Sequence, residues 1–440
     1  MKRAHAVLLA AAAFAAPVFG FDFRLVNTND VDDLVNPATP AFYIGNNPST
    51  IALDGDILYV GGFNNSGAPA NQRIVKIIDV FNTRGRVVVP TSETLMPFNR
   101  GFTGMDIAGD RLLVNYDSGS RNTPNSLRLY NTAVPALNSP NLITASGVPS
   151  GEAPRGIAGP AFDFGFDGTG FNVGGTNQPL PAVLDFTTRP EGPVGLFPAT
   201  LDTSLGATFY EPDAGGPNVR DFNAPFSLAS TLWRDLDIHP TTGMIVGRAG
   251  NNVVIAKRAG SNATLQSVVQ INNGTITGVL GQNVQIVNGT PDGDFIIYND
   301  RRITGAQPFA SVIKTIDDNG AAVTVNFFDV DGTTPYVFPD GVGLYDFSWD
   351  GDNQRLAIVD FATRRYWIFE TVQPCGAADI NSDGQVDFFD YLDFANAFGS
   401  ECTGPGQPLP ECQFSADFNN DGQVDFFDYL DFAAEFGRCS

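Results

Sequence analysis

The sequence predicts a mainly β chain, a six- or seven-bladed β-propeller, followed by a small α-helical module. Three observations predict it. A short apolar strand, a turn rich in Asp and Gly, and a second apolar strand recur along residues 21–374. Gly and Pro number 47 and 30 among 440 residues, while charged side chains make up only 17 %. That mixture suits short strands and tight turns and is poor for long helices. Residues 375–440 break the pattern, with a visible duplication and all four cysteines.

The six β repeats are STIALDGDILYVGG from Ser49, TGMDIAGDRLLVNYD from Thr103, FDFGFDGTGFNVGG from Phe162, RDLDIHPTTGMIVGR from Arg234, NGTPDGDFIIYND from Asn288 and YDFSWDGDNQRLAIVD from Tyr345. Further strands follow most of them: RIVKIIDV, SLRLYN, AVLDF, NVVIAKR, SVIKTID and RYWIFE. The turn glycines Gly55, Gly109, Gly168, Gly243, Gly293 and Gly351 stand 54, 59, 75, 50 and 58 residues apart. Four-strand repeats of this length fit propeller blades, because an isolated hairpin must stack on neighbours to be stable. A β-sandwich is the other all-β reading. The longest interval contains a Gly- and Pro-rich stretch near residues 190–230, either a loop or a seventh blade. The early strand FDFRLVN is placed to close the ring against RYWIFE.

Charge and leader bound the function. The net charge is −23, which repels phosphate backbones and anionic membranes and so argues against nucleic acid as a partner. Residues 1–20 read as a signal peptide: MKR, then an apolar run too short to span a bilayer, with Ala-Phe-Ala at 13–15 and Val-Phe-Gly at 18–20 as competing cleavage sites. An N-terminal anchor is the other reading. Losing Lys2 and Arg3 takes the charge from −23 to −25. No later stretch approaches spanning length, so no membrane span is expected after cleavage. The expected domains are a signal peptide at 1–20, a propeller-like domain at 21–374 and a calcium module at 375–440, in a protein that is secreted or held at the cell surface.

The module opens each of its two copies with a twelve-residue loop, DINSDGQVDFFD from Asp379 and DFNNDGQVDFFD from Asp417, a 38-residue interval. Calcium takes six to eight oxygens, which a short loop supplies at alternate positions. In the first loop these are Asp379, Asn381, Asp383, the backbone carbonyl of Gln385, Asp387 through water, and Asp390. In the second they are Asp417, Asn419, Asp421, Gln423, Asp425 and Asp428. Gly384 and Gly422 make the sharp turn, and Val386 and Val424 hold the loops together. The thirteen residues DGQVDFFDYLDFA are identical in both copies. Two ions are therefore expected. A helix leaves each loop, with Phe388, Leu392 and Ala395 expected on its buried stripe and Phe389 and Phe398 close to it. Pro374 and Cys375 leave no room for an entering helix before the first loop.

These loops resemble a dockerin, the duplicated calcium module that binds cohesin domains. The flanking cysteines and the Cys-Gly at 375–376 are similar to GC-type dockerins of bacterial secreted proteins. The resemblance implies calcium-induced folding and noncovalent docking to a cohesin-like or other cell-surface protein. It also implies that loop positions ten and eleven, Phe388, Phe389, Phe426 and Phe427, help choose the partner; from the residues themselves, one Phe of each pair is expected in the core. Cellulosomal dockerins tend to have smaller or polar residues there.

Cys375, Cys402, Cys412 and Cys439 read as two disulfides in an oxidising compartment, since no His lies among them to favour zinc. Pairing within copies spans 27 residues in each, and the cross-copy pairing Cys375–Cys439 with Cys402–Cys412 respects the same symmetry while clasping the module's ends. Residues 375–440 carry 13 acidic side chains against Arg438, a charge of −12.

The propeller shows no catalytic motif. His239 is the only histidine after the leader, and no GxSxG, P-loop or HExxH occurs. Paired carboxylates hydrolyse glycosides without histidine, but sequence does not choose a pair among so many. Trp233, Trp349 and Trp367 are sugar-stacking candidates and, more simply, core residues. FDFGFDG (162–168) and DVDGTTPYVFPDG (329–341) are candidate further cation loops. The expected function is a secreted calcium-binding interaction protein whose docking module carries a propeller that binds polysaccharide or protein. The alternative is a carboxylate-based polysaccharide hydrolase or lyase anchored through the same module.

Overall fold

A computed structural model describes residues 21–30, 44, 47–63, 74–82, 87–90, 101–117, 126–134, 137, 141–143, 160–164, 168–173, 176–185, 195–202, 207–210, 220–221, 233–249, 252–259, 262–270, 283–290, 293–299, 307–308, 312–340, 342, 344–372, 378, 380, 386, 388–399, 416–418 and 423–435. The leader, the two Ala-Phe-Ala and Val-Phe-Gly sites and the four cysteines lie outside them.

Six inner strands form a closed ring: Asn47–Asp54, Gly101–Ala108, Ala161–Asp163, Trp233–Ile238, Val284–Val287 and Leu344–Asp350. Each packs against the next, and the last against the first. Each also starts an antiparallel blade. Blade one continues through Ile57–Phe63, Ile74–Ile78 and Val87–Pro90, blade two through Arg111–Asp117, Ser126–Asn131 and Asn141–Ile143, and blade four through Ile245–Ala249, Asn252–Ala259 and Asn262–Gln270. Blade five adds Phe295–Asn299 and Ile313–Ile316. The fold is a six-bladed propeller.

Blades stack on both faces, so their strands bury both sets of alternating side chains. Ile51 and Leu53 face blade six, packing with Ala357, Val359, Tyr366 and Ile368. Ala52, between them, faces Phe102, Leu112 and Val114 of blade two. Met244, Val246 and Val253 of blade four meet Ile286, Ile296 and Tyr298 of blade five in the same way. Each such fully buried side chain contributes roughly 1.5–3 kcal/mol of transfer free energy.

Closure uses the N-terminal strand. Phe21–Asp30 pairs antiparallel with Arg365–Thr371, from Phe23 opposite Thr371 to Asp30 opposite Arg365. It becomes the fourth strand of blade six, after Leu344–Asp350, Arg355–Asp360 and Arg365–Thr371. Phe23 is fully buried and stacks on Phe327 at 4.8 Å. The expected pairing of FDFRLVN with RYWIFE is the one observed.

Blade three departs from the sequence reading. Its inner strand pairs with Leu180–Asp185, not with Phe171–Val173. Phe171–Val173 instead folds back on Thr176–Gln178 as an inserted hairpin. The motif from Phe162 therefore contains an insertion, and AVLDF supplies the second strand. Gly195–Asp202 and Ala207–Tyr210 complete the blade. The 190–230 stretch thus provides outer strands of blade three, and the inner ring has no seventh member. Blade six also differs in its turn: Gln354 adopts φ 54, the left-handed conformation that Gly55 (φ 57) and Gly109 (φ 57) take in blades one and two.

Four inner strands carry a β-bulge at the same place, before Thr50, Gly104, Asp235 and Asp346. Each inner strand is a sheet edge whose N–H groups need acceptors. Side chains of the preceding blade provide them. Ile51, Leu53 and Gly55 donate to Asp346 (3.1 Å), Ser348 (3.0 Å) and Asp350 (2.7 Å). Val284 and Ile286 donate to Asp235 (2.8 Å) and Asp237 (2.6 Å), and Phe162 donates to Asp106 (2.6 Å). The alternating Asp-x-Ser-x-Asp and Asp-x-Asp patterns are therefore spokes between blades, placed on one face by the period of two.

Candidate functional site

Two regions gather acidic residues. In the C-terminal module, helices α1 (Phe388–Ala397) and α2 (Phe426–Glu435) follow the loops. The two copies meet through matching residues. Phe394 stacks on Phe432 at 5.3 Å, Val386 and Val424 are buried, and Ala378 with Ala416 complete the core. The Gly399 N–H donates to the Val424 carbonyl at 2.7 Å, tying the end of α1 to the second loop.

Asp390 and Asp428, twelfth in their loops, are fully buried in the first turn of α1 and α2. A carboxylate there also complements the helix dipole. Asp428 accepts the Phe418 N–H at 2.8 Å on one oxygen and the Asp425 N–H at 2.7 Å on the other, so it spans its loop from second to ninth position. Asp425 in turn accepts the Phe427 N–H at 2.8 Å. Asp417 is buried and Gln423 exposed. The remaining predicted ligands, Asp379, Asn381, Asp383, Gln385, Asp387, Asn419 and Asp421, lie outside the described residues. Among the described residues no three His, Cys, Asp or Glu side chains form a metal-holding group. The donor set is nevertheless all oxygen, which fits a hard cation such as calcium.

The expected helix stripe is corrected. Phe388, Leu392 and Ala395 are exposed, while Asp390, Phe394 and Ala397 face inward. The reason is geometric. The twelfth-position carboxylate must face its loop, and residues four and seven positions on share that face. Phe388, two residues before Asp390, falls about 200° away at 100° per residue. Both members of each Phe pair are consequently exposed, at 60 % and 63 % in the first copy and 58 % and 63 % in the second. Tyr391, Leu392, Tyr429 and Leu430 are also exposed, so each copy carries the same set of exposed large apolar side chains.

The second region is a funnel of about 510 Å³ at one end of the propeller. The inner-strand ends and the turns after them bring Asp54, Asp106, Asp110, Asp237, Asp350 and Asp352 around it, with Arg111 and Trp349. Burial pushes Asp106 up to about 6, against the N–H groups of Phe162 and Ile107 that favour its charge. Burial, and then the neighbouring Asp106, raise Asp237 well above the ordinary carboxylate range. Both carboxylates are committed, Asp106 to those two N–H groups and Asp237 to Ile238, Ile286 and the Gln285 amide. Asp346, inside the ring, is raised by burial to about 8.

The remaining candidates make mostly local contacts. His239 bonds Asp294 at 2.7 Å through Nε2, while Nδ1 accepts the Thr241 N–H at 3.1 Å and that of Thr242, so it holds its own turn. Trp367 is core, and half-buried Trp349 donates to the Asn288 carbonyl at 3.0 Å. The Trp233 side chain lies outside the described residues. In the 329–341 loop, Asp331 accepts Thr333 and Thr334 N–H groups and the Thr334 hydroxyl, bonds that hold it at about 2 and close its own turn. In 162–168 only part of the loop is described, with Asp163 buried. Sequence reasoning missed the spokes Asp106, Asp235, Asp237 and Asp346, although their spacing of two was visible.

Comparison with known proteins agrees at the C-terminus. Residues 377–432 match the dockerin type I domain family. No curated protein matches the chain. Among solved structures, auxiliary nutrient binding proteins of Bacteroides thetaiotaomicron and Bacteroides ovatus each align with TM-score 0.43 and 11 % identity, over 74 % of this chain and 70 % of theirs. The Cps50 (Swd1) β-propeller domain of Myceliophteria thermophila aligns with TM-score 0.37 and 8 % identity, over 79 % of this chain and 99 % of that one. No helix among the described residues is long and apolar enough to cross a membrane. Dockerin domains bind calcium and dock to protein partners, and the chain is a dockerin-domain protein built on a six-bladed propeller.

Proposed function

We propose that the protein is a secreted docking protein. Two calcium ions, one per loop, fold residues 375–440, and the exposed pairs Phe388–Phe389 and Phe426–Phe427 seat on a cohesin-like or other cell-surface partner. The leader at 1–20 exports the chain, and two disulfides among the four cysteines brace the module. The propeller funnel presents a binding surface for a polysaccharide or protein ligand. The observation that carries the reading is the equivalent set of exposed apolar side chains in the two copies, each beginning at loop position ten.

The test is retention of the full chain on immobilised cohesin domains in calcium and in chelator. Retention in calcium alone, lost on changing all four Phe to Ser, supports the reading. Calcium-independent retention, or retention by the Ser variant, overturns it. The funnel favours a second reading, a carboxylate-based polysaccharide hydrolase or lyase, because it gathers Asp54, Asp106, Asp110, Asp237, Asp350 and Asp352. Polysaccharide product formed by the wild type and abolished in both Asp106→Asn and Asp237→Asn would establish it. Ligand retention without product favours a binding propeller.

A further inference from the structure

The aspartates of the funnel fall into two groups. Asp106, Asp237 and Asp350 are committed to the fold. Asp106 and Asp237 hold backbone N–H groups. Asp350 accepts the Gly55 N–H at 2.7 Å, the Asn353 N–H at 3.1 Å and the Asn353 side-chain amide at 2.9 Å. Asp54, Asp110 and Asp352 are exposed, and among the described residues no hydrogen bond reaches their carboxylates. They stand where the inner strands of blades one, two and six turn back, and these blades are neighbours in the ring.

Two held side chains share the lining with them. Trp349 is half-buried; its Nε1 donates to the Asn288 carbonyl at 3.0 Å, and its ring packs nearly perpendicular to Phe23 with centroids 6.1 Å apart. An indole fixed in this way loses little freedom when a ligand covers it. Arg111 is the basic residue of the described lining. It is held as well: Nη1 donates to the Pro179 carbonyl at 3.1 Å, and the guanidinium lies 5.3 Å from the centre of the Phe162 ring. One guanidinium among these carboxylates leaves the cavity negative, so it repels a polyanion. The cavity, about 510 Å³, also has the size of a small-ligand pocket, roughly 300–1,000 Å³. A protein partner needs a broad surface instead, roughly 800 Å² on each side.

We propose, resting on the reading of the funnel as a ligand site, that it takes an uncharged polysaccharide, with a sugar ring lying on Trp349 and hydroxyls of that ring and its neighbours donating to Asp54, Asp110 and Asp352. A sugar ring is apolar on its faces and hydroxylated round its rim, so it meets the indole and the carboxylates together. Hydrogen bonds to an ionised acceptor are the stronger kind. Trp349 is the specificity-determining residue for the ring, and the three open carboxylates select for donors and against negative charge.

The test is affinity electrophoresis of the full chain through gels that each contain one polymer. The neutral polymers are hydroxyethyl cellulose, galactomannan and xyloglucan, and carboxymethyl cellulose is the charged counterpart of the first. Retardation by a neutral polymer, without retardation by carboxymethyl cellulose, is expected. Trp349→Ala should weaken it about tenfold. Asp54→Ala and Asp352→Ala should each weaken it by about tenfold as well. Retardation by carboxymethyl cellulose that Trp349→Ala abolishes would keep the funnel as a ligand site and overturn the uncharged ligand. Retardation unchanged in every variant places the contact elsewhere and overturns the proposal. No retardation by any of the polymers rejects it too, and leaves the funnel to a protein ligand. Trp349 also packs within blade six, so Trp349→Phe and the two exposed Asp variants decide should Trp349→Ala not fold: wild-type retardation in all three rejects the proposal.

Discussion

Aspartate is the chief acidic residue of both the propeller and the module, and it does opposite work in the two. In the propeller, Asp106, Asp235, Asp237 and Asp346 each accept backbone N–H groups of the next inner strand or of their own. They are hydrogen-bond acceptors first, and burial raises their pKa. In the module, the acids cluster within twelve-residue loops that lack basic neighbours, and Asp428 closes its loop across the second and ninth positions. The difference lies in what meets the carboxylate. Where a neighbouring strand edge supplies N–H groups, the side chain is satisfied by the fold. Where the sequence sets thirteen acids against one arginine, backbone N–H groups such as those on Asp428 leave a net negative charge that suits a bound cation.

The largest test of this contrast is calcium removal. Chelator added to the full chain should abolish the helical circular dichroism of the module, because metal binding and folding are coupled there, while the β signal of the propeller persists. Loss of both signals together, or of neither, would break the comparison. Next in size are two core truncations. Phe432→Ala removes one half of the stacked pair joining the copies and should cost the module about 3–5 kcal/mol, read as a large rise in the calcium needed to fold it. Phe23→Ala, in the closing strand, should destabilise the propeller by a similar amount, about 3–5 kcal/mol, read by urea denaturation with no change in calcium response.

Smaller effects sharpen the same contrast. Asp106 keeps its proton in the folded state up to about pH 6 but loses it near 3.8 when unfolded. The folded state therefore binds more protons between these values, and the group's contribution to stability falls as pH rises through that window. Propeller stability measured from pH 4 to 6 should carry this downward slope, and Asp106→Asn should lessen it, the rest coming from Asp235, Asp237 and Asp346. Smallest of all, Phe389→Ser and Phe427→Ser should shift stability by no more than about 0.5 kcal/mol, as expected for exposed sites, while weakening partner retention.

Much of this architecture was legible. The strand–turn–strand repeat located five of the six inner hairpins, because each is local and its apolar alternation is complete. Blade three was misread because a hairpin at Phe171–Val173 and Thr176–Gln178 interrupts it, and an inserted pair looks in sequence like the strand it displaces. The calcium loops were visible because their ligands are consecutive. The direction of the helix faces was not, because apolar periodicity alone places Phe388 and Leu392 inward. It takes the fixed orientation of Asp390 to turn them out. The spoke carboxylates were hidden for a related reason: their acceptors' role depends on a neighbouring blade some 50 to 300 residues away.

The closing strand has a mechanical consequence. The linker to the module leaves from Arg365–Thr371, which is hydrogen-bonded on one side to Arg355–Asp360 and on the other to Phe21–Asp30. Just past its end, Val372 donates to the Asp22 carbonyl at 2.8 Å. A pull transmitted through a docked C-terminus therefore loads two ladders at once, rather than the single ladder that holds an outermost strand. Without residues 21–30 the same strand would be an edge, and the tether would peel the blade it hangs from.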